Sequence, residues 1–183
     1  MTNNTILYSQ DKSVYRYNTA KQSIDWKCDF EKKIHSISRF GKYVLVSTMS
    51  NWGKKFTTLI DFDKGIKEWT INEVFYSIRI LEDSIIYVDL KRKLNAINLK
   101  TGEKKFQKKL PFMWSTKIAV IGEKLYLFSS KKAYVINQQN GDLTESKAPN
   151  KINPKELGLV IDEFEIEINE IPKHDGGQVI ITG

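Results

Sequence analysis

Apolar residues recur along this chain in short runs with a period of two rather than 3.6. The clearest are Ile6–Ser9, Tyr43–Ser47, Ser84–Val88 and Lys124–Phe128. Alternation over so few residues predicts half-buried strands, and no segment sustains a helical apolar period, so helix is a minor element. A second set, His35–Phe40, Tyr76–Leu81 and Ser115–Ile121, precedes three of these runs. Turn signals at Gly41-Lys42, Glu82-Asp83 and Gly122-Glu123 separate the two sets. The pattern predicts an all-β chain of short antiparallel strands.

The runs repeat. Tyr17–Trp26 (YNTAKQSIDW), Ile60–Trp69 (IDFDKGIKEW), Ile97–Phe106 (INLKTGEKKF) and Ile136–Glu145 (INQQNGDLTE) align without gaps, their starts 43, 37 and 39 residues apart. A period of roughly 40–45 residues is that of a four-stranded propeller blade. In each column the residue type has a physical reason. Tyr17, Ile60, Ile97 and Ile136 end an inward-facing strand. Asn18, Asp61, Asn98 and Asn137 follow, and such side chains bond their own backbone two residues on and start a turn. Gly65, Gly102 and Gly141 stand where a tight hairpin needs positive φ. Gln22 interrupts that column, which predicts a different first turn. Trp26, Trp69 and Phe106 supply large rings for packing between sheets. Glu145 lacks the ring, as terminal repeats often do.

Ala96 to Phe106, AINLKTGEKKF, resembles the repeat of the pyrroloquinoline-quinone-type β-propellers: Ala, apolar, Asp, two variable residues, Thr-Gly, three variable residues, Trp. The resemblance covers residues 5 to about 146. It implies the propeller architecture. In the quinone enzymes of that family the cofactor rests against a vicinal disulfide and a catalytic aspartate. A chain with Cys28 as its one cysteine cannot make that disulfide. The resemblance therefore implies the fold and not the dehydrogenase chemistry, and no cofactor is expected.

With strands named A to D from inside to outside, residues 35–146 hold three blades, in units of about 35–71, 76–110 and 115–146. Residues 5–30 hold only B, C and D of a fourth: Thr5–Gln10, Ser13–Tyr17 and Ser23–Asp29. The missing strand is sought in the C-terminal stretch 155–183, where Leu157–Ile171 and Gln178–Thr182 are β-like. The expectation is one β-propeller domain over residues 1–183, with about four blades, closed by a C-terminal strand. The alternative is an open arc of blades that closes by pairing with a second chain.

Charge refines the picture. The net charge is +7, but residues 151–183 carry three Lys against seven Asp and Glu, so the first 150 residues sum to +11. Only Arg16, Arg39, Arg79 and Arg92 are arginine. Lysine is a flexible point charge and a poor bidentate reader of phosphate, which disfavours nucleic acid without removing it. In a propeller the B–C and D–A connections emerge on one face. The second unit carries about five extra residues in its B–C connection, around Trp52, Lys54 and Lys55. The D–A connection Pro111-Phe112-Met113-Trp114 is unusually aromatic. Lys91, Arg92 and Lys93, then Lys131 and Lys132, fall in further B–C connections, and Lys32 and Lys33 in a D–A connection. Aromatic anchors with cations suit a protein interface and an acidic partner. Equally, Trp52 and Trp114 could plug the channel or pack on neighbouring loops, and the lysines could serve solvation alone.

Other chemistry is sparse. His35 and His174 are the only histidines, and neither lies at a metal-ligand spacing. There is no phosphate loop or dinucleotide fingerprint. Asp162, Glu163, Glu165, Glu167 and Glu170 read as a solvated acidic strand. No apolar run approaches a membrane span, and MTNNTILYSQ lacks the charged start and apolar stretch of a signal peptide. The expectation is a cytoplasmic, non-enzymatic, protein-binding propeller without metal, cofactor or membrane. Its concrete form is an immunity protein that neutralises a bacterial toxin. Nucleic-acid binding and small-ligand or sugar binding are the alternatives.

Overall fold

The computed structural model describes residues 4–111, 117–129, 132–149 and 179–181. Phe112, Trp114 and Lys131, and the stretch Leu157–Ile171, lie outside the described residues. The described chain forms sixteen strands and no helix. They make four antiparallel sheets of four strands each.

Contacts divide the chain into two compact units, residues 1–74 with 161–183 and residues 75–160. The first unit holds two sheets. Strands β1 (Thr5–Gln10), β2 (Ser13–Asn18) and β3 (Ser23–Asp29) form one, with β16 (Val179–Ile181) paired antiparallel on the inner side of β1. The expected C-terminal strand is therefore present, and β1 takes its inner neighbour from the same chain. The second sheet runs β4 (Lys33–Phe40), β5 (Tyr43–Met49), β6 (Lys55–Asp61) and β7 (Lys67–Ile71). Its core is one face of each sheet: Leu7, Val14 and Cys28 meet Val44, Val46 and Ile60.

The second unit repeats the plan. Its third sheet is β8 (Ile78–Ile80), β9 (Ser84–Val88), β10 (Lys93–Asn98) and β11 (Lys104–Lys109). The fourth is β12 (Lys117–Ile121), β13 (Lys124–Phe128), β14 (Ala133–Ile136) and β15 (Leu143–Ser146). Ile86, Val88 and Leu94 pack with Ile118, Leu125 and Leu127. Burying one such side chain is worth about 1.5–3 kcal/mol, which places the stability of each unit in this interleaving.

The repeat columns do what their chemistry suggests. The Oδ1 atoms of Asn18, Asp61 and Asn98 each accept N–H bonds from the residues two and three ahead, at 2.9–3.1 Å. Asn137 accepts from Gln139 at 2.9 Å. The glycine N–H at positions 65, 102 and 141 donates back to the carbonyl of Asp61, Asn98 and Asn137 at 2.8–2.9 Å. These glycines sit at φ 70, 71 and 76.

One expectation fails. Gln22 was to make a different turn, yet it takes φ 52, the same left-handed conformation. The conformation alone therefore does not demand glycine. What does is the neighbouring sheet. A Cβ on Gly65 would lie 2.5 Å from the Trp26 ring, and one on Gly141 would lie 2.5 Å from the Phe106 ring. Trp26 and Phe106 thus each cover the turn of the next sheet in their own unit, and those two turns must be bare. Trp26 also donates its Nε1–H to the Phe62 carbonyl at 2.8 Å.

A register shift aims these rings. Between β2 and β3, β6 and β7, and β10 and β11, a bulge sets Trp26 opposite Arg16, Trp69 opposite Leu59, and Phe106 opposite Ala96. Bulges re-aim side chains in this way. The β14–β15 pair has no shift, and Glu145 stands opposite Tyr134. The loss of the ring and the loss of the bulge go together.

Candidate functional site

At one end of each sheet lie the B–C turn and the entry to the A strand. In the second sheet Lys33 pairs with Met49 and Met49 with Lys55, so three strands deliver these residues side by side. The extra residues of this unit lengthen β5 and β6, which pair from Tyr43 with Asp61 to Met49 with Lys55, and Ser50–Lys54 closes the hairpin. Ser50 N–H donates to the Lys54 carbonyl at 2.8 Å and Gly53 N–H to the Ser50 carbonyl at 3.0 Å. Lys54 N–H donates to Ser50 Oγ at 3.1 Å. Gly53 takes φ 74 with open space where a Cβ would be, so backbone conformation alone favours glycine here, without a neighbouring ring to exclude a side chain.

Trp52 crowns this braced turn and is 93% exposed. Its ring is open to solvent rather than buried among the described residues. Met49 beside it is 38% exposed. Lys32 lies 4.1 Å over the Phe56 ring and 3.8 Å from Glu31. Lys33, Lys54 and Lys55 form no ion pair among the described residues. A Trp ring buries roughly 150–250 Å² when covered, worth about 4–6 kcal/mol at the usual area coefficient. That free energy is unused in the isolated chain.

The third sheet places Lys91, Arg92 and Lys93 in and beside its β9–β10 turn. Lys91 and Arg92 are exposed, whereas Lys93 donates its Nζ to Gln107 Oε1 at 2.8 Å. In the fourth sheet Lys132 is committed. Its Nζ lies 2.7 Å from Glu145 Oε2, and that bond, with the carboxylate charge, raises its pKa. Lys132 is thus a brace between β14 and β15 rather than a free contact.

Sequence reasoning passed over three exposed apolar residues at these same sheet ends: Met49, Tyr76 and Leu90. Leu90 carried a signal, an apolar residue in a turn among cations. Met49 and Tyr76 could not be told from strand core. It also passed over a polar cluster at the other end of the first unit. The Phe62 ring has the Arg39 guanidinium at 3.5 Å and the Arg16 guanidinium at 4.4 Å. Burial first, and the Arg16 charge second, lower the Arg39 pKa. Asp25 and Asp63 balance Arg16 at 3.3 Å each, so the cluster braces the two sheets and leaves no net charge to attract a ligand.

The vicinal disulfide of the quinone enzymes has no counterpart in this sequence. Cys28, the sole cysteine, is buried in the core of the first unit, with burial raising its pKa. Among the described residues no three His, Cys, Asp or Glu side chains gather as metal ligands. Among the described residues no helix is long and apolar enough to cross a membrane.

No family model matches the chain, and no curated protein does. Solved structures do. The chain is similar to BamB from Moraxella catarrhalis, with 13% identity over 78% of this chain and 45% of that one, at TM-score 0.58. It is also similar to KlHsv2 with loop 6CD replaced by a Gly-Ser linker. That match has 13% identity over 81% of this chain and 58% of that one, at TM-score 0.59. The chain thus spans about half the length of either structure. At this identity the likeness is one of fold, and with four four-stranded sheets it places the chain in the β-propeller class.

Proposed function

We propose that this chain is a non-enzymatic protein-binding propeller, and that its partner is a bacterial toxin domain which it neutralises in the cytoplasm as an immunity protein. The observation that carries the reading is Trp52. A ring 93% exposed at the tip of a hydrogen-bonded hairpin, beside Lys33, Lys54 and Lys55, which form no ion pair among the described residues, is what a binding anchor requires. Tryptophan is enriched among interface hot spots, and unpaired cations around it speed encounter with an acidic surface. The composition agrees with a non-enzymatic role. Two histidines and one buried thiol supply no nucleophile–base set.

Co-expression with the product of the neighbouring gene tests the reading. The expected outcome is a co-purifying complex that relieves growth arrest caused by that product, with Trp52→Ala weakening both effects while folding holds. A monodisperse free chain that leaves the arrest unchanged would refute it.

A further inference from the structure

In the second unit one turn is built at a cost that folding does not explain. Asp89 anchors the β9–β10 turn. Its Oδ1 accepts the Lys93 N–H at 2.9 Å and its Oδ2 accepts from Asn95 Nδ2 at 3.2 Å. Asn95 is fully buried, donates also to the Lys93 carbonyl at 2.8 Å, and accepts from Gln107 Nε2 at 2.7 Å. Arg92 N–H donates to the Asp89 carbonyl at 3.0 Å, and the Arg92 carbonyl accepts from Leu110 N–H at 3.3 Å. Each buried polar group has a partner, so the turn is rigid before anything binds.

What the rigid turn presents is unfavourable in isolation. Leu90 is 55% exposed. Arg92 takes φ 59, a region where a β-carbon is crowded and Gly or Asn is the usual occupant. Lys93 and Lys109 stand directly opposite across β10 and β11, and like charges in that relation repel. Lys91, Arg92 and Lys109 form no ion pair among the described residues. The other end of the same sheet is matched, with Lys105 on Asp83 at 2.6 Å. Strain and unbalanced charge held in place by a satisfied buried network mark a functional position.

We infer that this turn is a docking point for an acidic stretch of polypeptide. Carboxylates of the partner meet Lys91, Arg92 and Lys109, and an apolar side chain beside them covers Leu90. Tyr76, 57% exposed, adds apolar area at the same sheet end, where its N–H donates to the Val88 carbonyl at 2.9 Å. That apolar area selects polypeptide over nucleic acid, since a phosphodiester ladder would leave Leu90 uncovered. The inference extends the protein-binding reading, yet it stands on a different unit from Trp52 and is separable from it.

The test is fluorescence anisotropy of the full chain with a labelled peptide in which Glu and Asp alternate with Leu, and with a labelled single-stranded RNA of equal charge. The wild type binds the peptide, more weakly as salt rises. Arg92→Gly removes the charge and relieves the backbone, so affinity falls about fivefold or more while Tm holds or rises. Lys109→Glu does the same by ending the like-charge pair. Lys100→Ala, in the C–D turn at the far end of the same sheet, leaves peptide affinity unchanged. The inference is overturned if the wild type ignores the peptide, if it prefers the RNA, or if Arg92→Gly and Lys109→Glu bind as the wild type does.

Discussion

The two ends of each sheet are made on opposite principles. At the C–D end every sheet uses one device: an Asn or Asp side chain caps the turn through its Oδ1. Three of the four sheets add a glycine at positive φ. At the B–C end the presented side chains diverge. The first turn is Asp11-Lys12. The second and third share one backbone form, in which Ser50 and Asp89 bond Lys54 and Lys93, yet one holds Trp52 and the other Leu90, Lys91 and Arg92. Turn chemistry repeats at the C–D end, whereas at the B–C end the side chains at the tip vary. A rigid scaffold with variable turns at one end is the arrangement in which binding resides on loops.

Six changes separate the two ends, and their expected effects span the whole range. Phe106→Ala removes a ring 8% exposed that covers Gly141. Chemical denaturation should show a loss of about 3–5 kcal/mol. Gly65→Ala and Gly141→Ala force a Cβ to within 2.5 Å of a ring at φ 70 and 76, for a loss of about 2–3 kcal/mol. Gly41→Ala, at φ 55 with nothing within 4 Å, should lose only about 1 kcal/mol. If these three glycines respond equally, the rings are not what excludes a side chain there. Asn98→Ala deletes the acceptor for two N–H groups, a loss of about 1 kcal/mol in the denaturation midpoint. Trp52→Ala should change stability by less than about 0.5 kcal/mol; a larger loss would make it a packing residue.

The smallest effect is in pH. The hydrogen bond from Lys105 is the main cause holding Asp83 below the ordinary carboxylate range. Its contribution is present above that range and is lost as pH falls through the lowered value. Asp83 is 76% exposed, so solvent screens the pair. Asp83→Asn should slightly flatten the fall of Tm in acid, and an unchanged Tm profile would show the pair to be inert.

Much of the fold was legible because the repeat is short and sharply punctuated. Thr5–Gln10, Ser23–Asp29, Ser84–Val88 and Lys124–Phe128 are strands with the expected bounds. Elsewhere tertiary context moved the ends. The expected strand Tyr76–Leu81 shrinks to Ile78–Ile80, because Leu81 N–H turns back to the Ser84 carbonyl. The hairpin around Trp52 extends β5 to Met49, because the inserted residues allow more ladder bonds. Gln22 misled because the glycine column answers to two constraints, conformation and ring contact, and a single residue type cannot report which one applies. At the surface the sequence marks Trp52 and the lysine runs by type alone, and the tie of Lys132 to Glu145 is a pairing across two strands that spacing does not reveal.

The most direct test measures the affinity of the neighbouring gene product for three proteins: wild type, Trp52→Ala at the variable end, and Lys100→Ala in a C–D turn. The prediction is a weakening of about a hundredfold for Trp52→Ala, equivalent to roughly 2.7 kcal/mol, and no change for Lys100→Ala. Unchanged affinity in Trp52→Ala, or a loss confined to Lys100→Ala, would contradict the assignment of binding to the variable end.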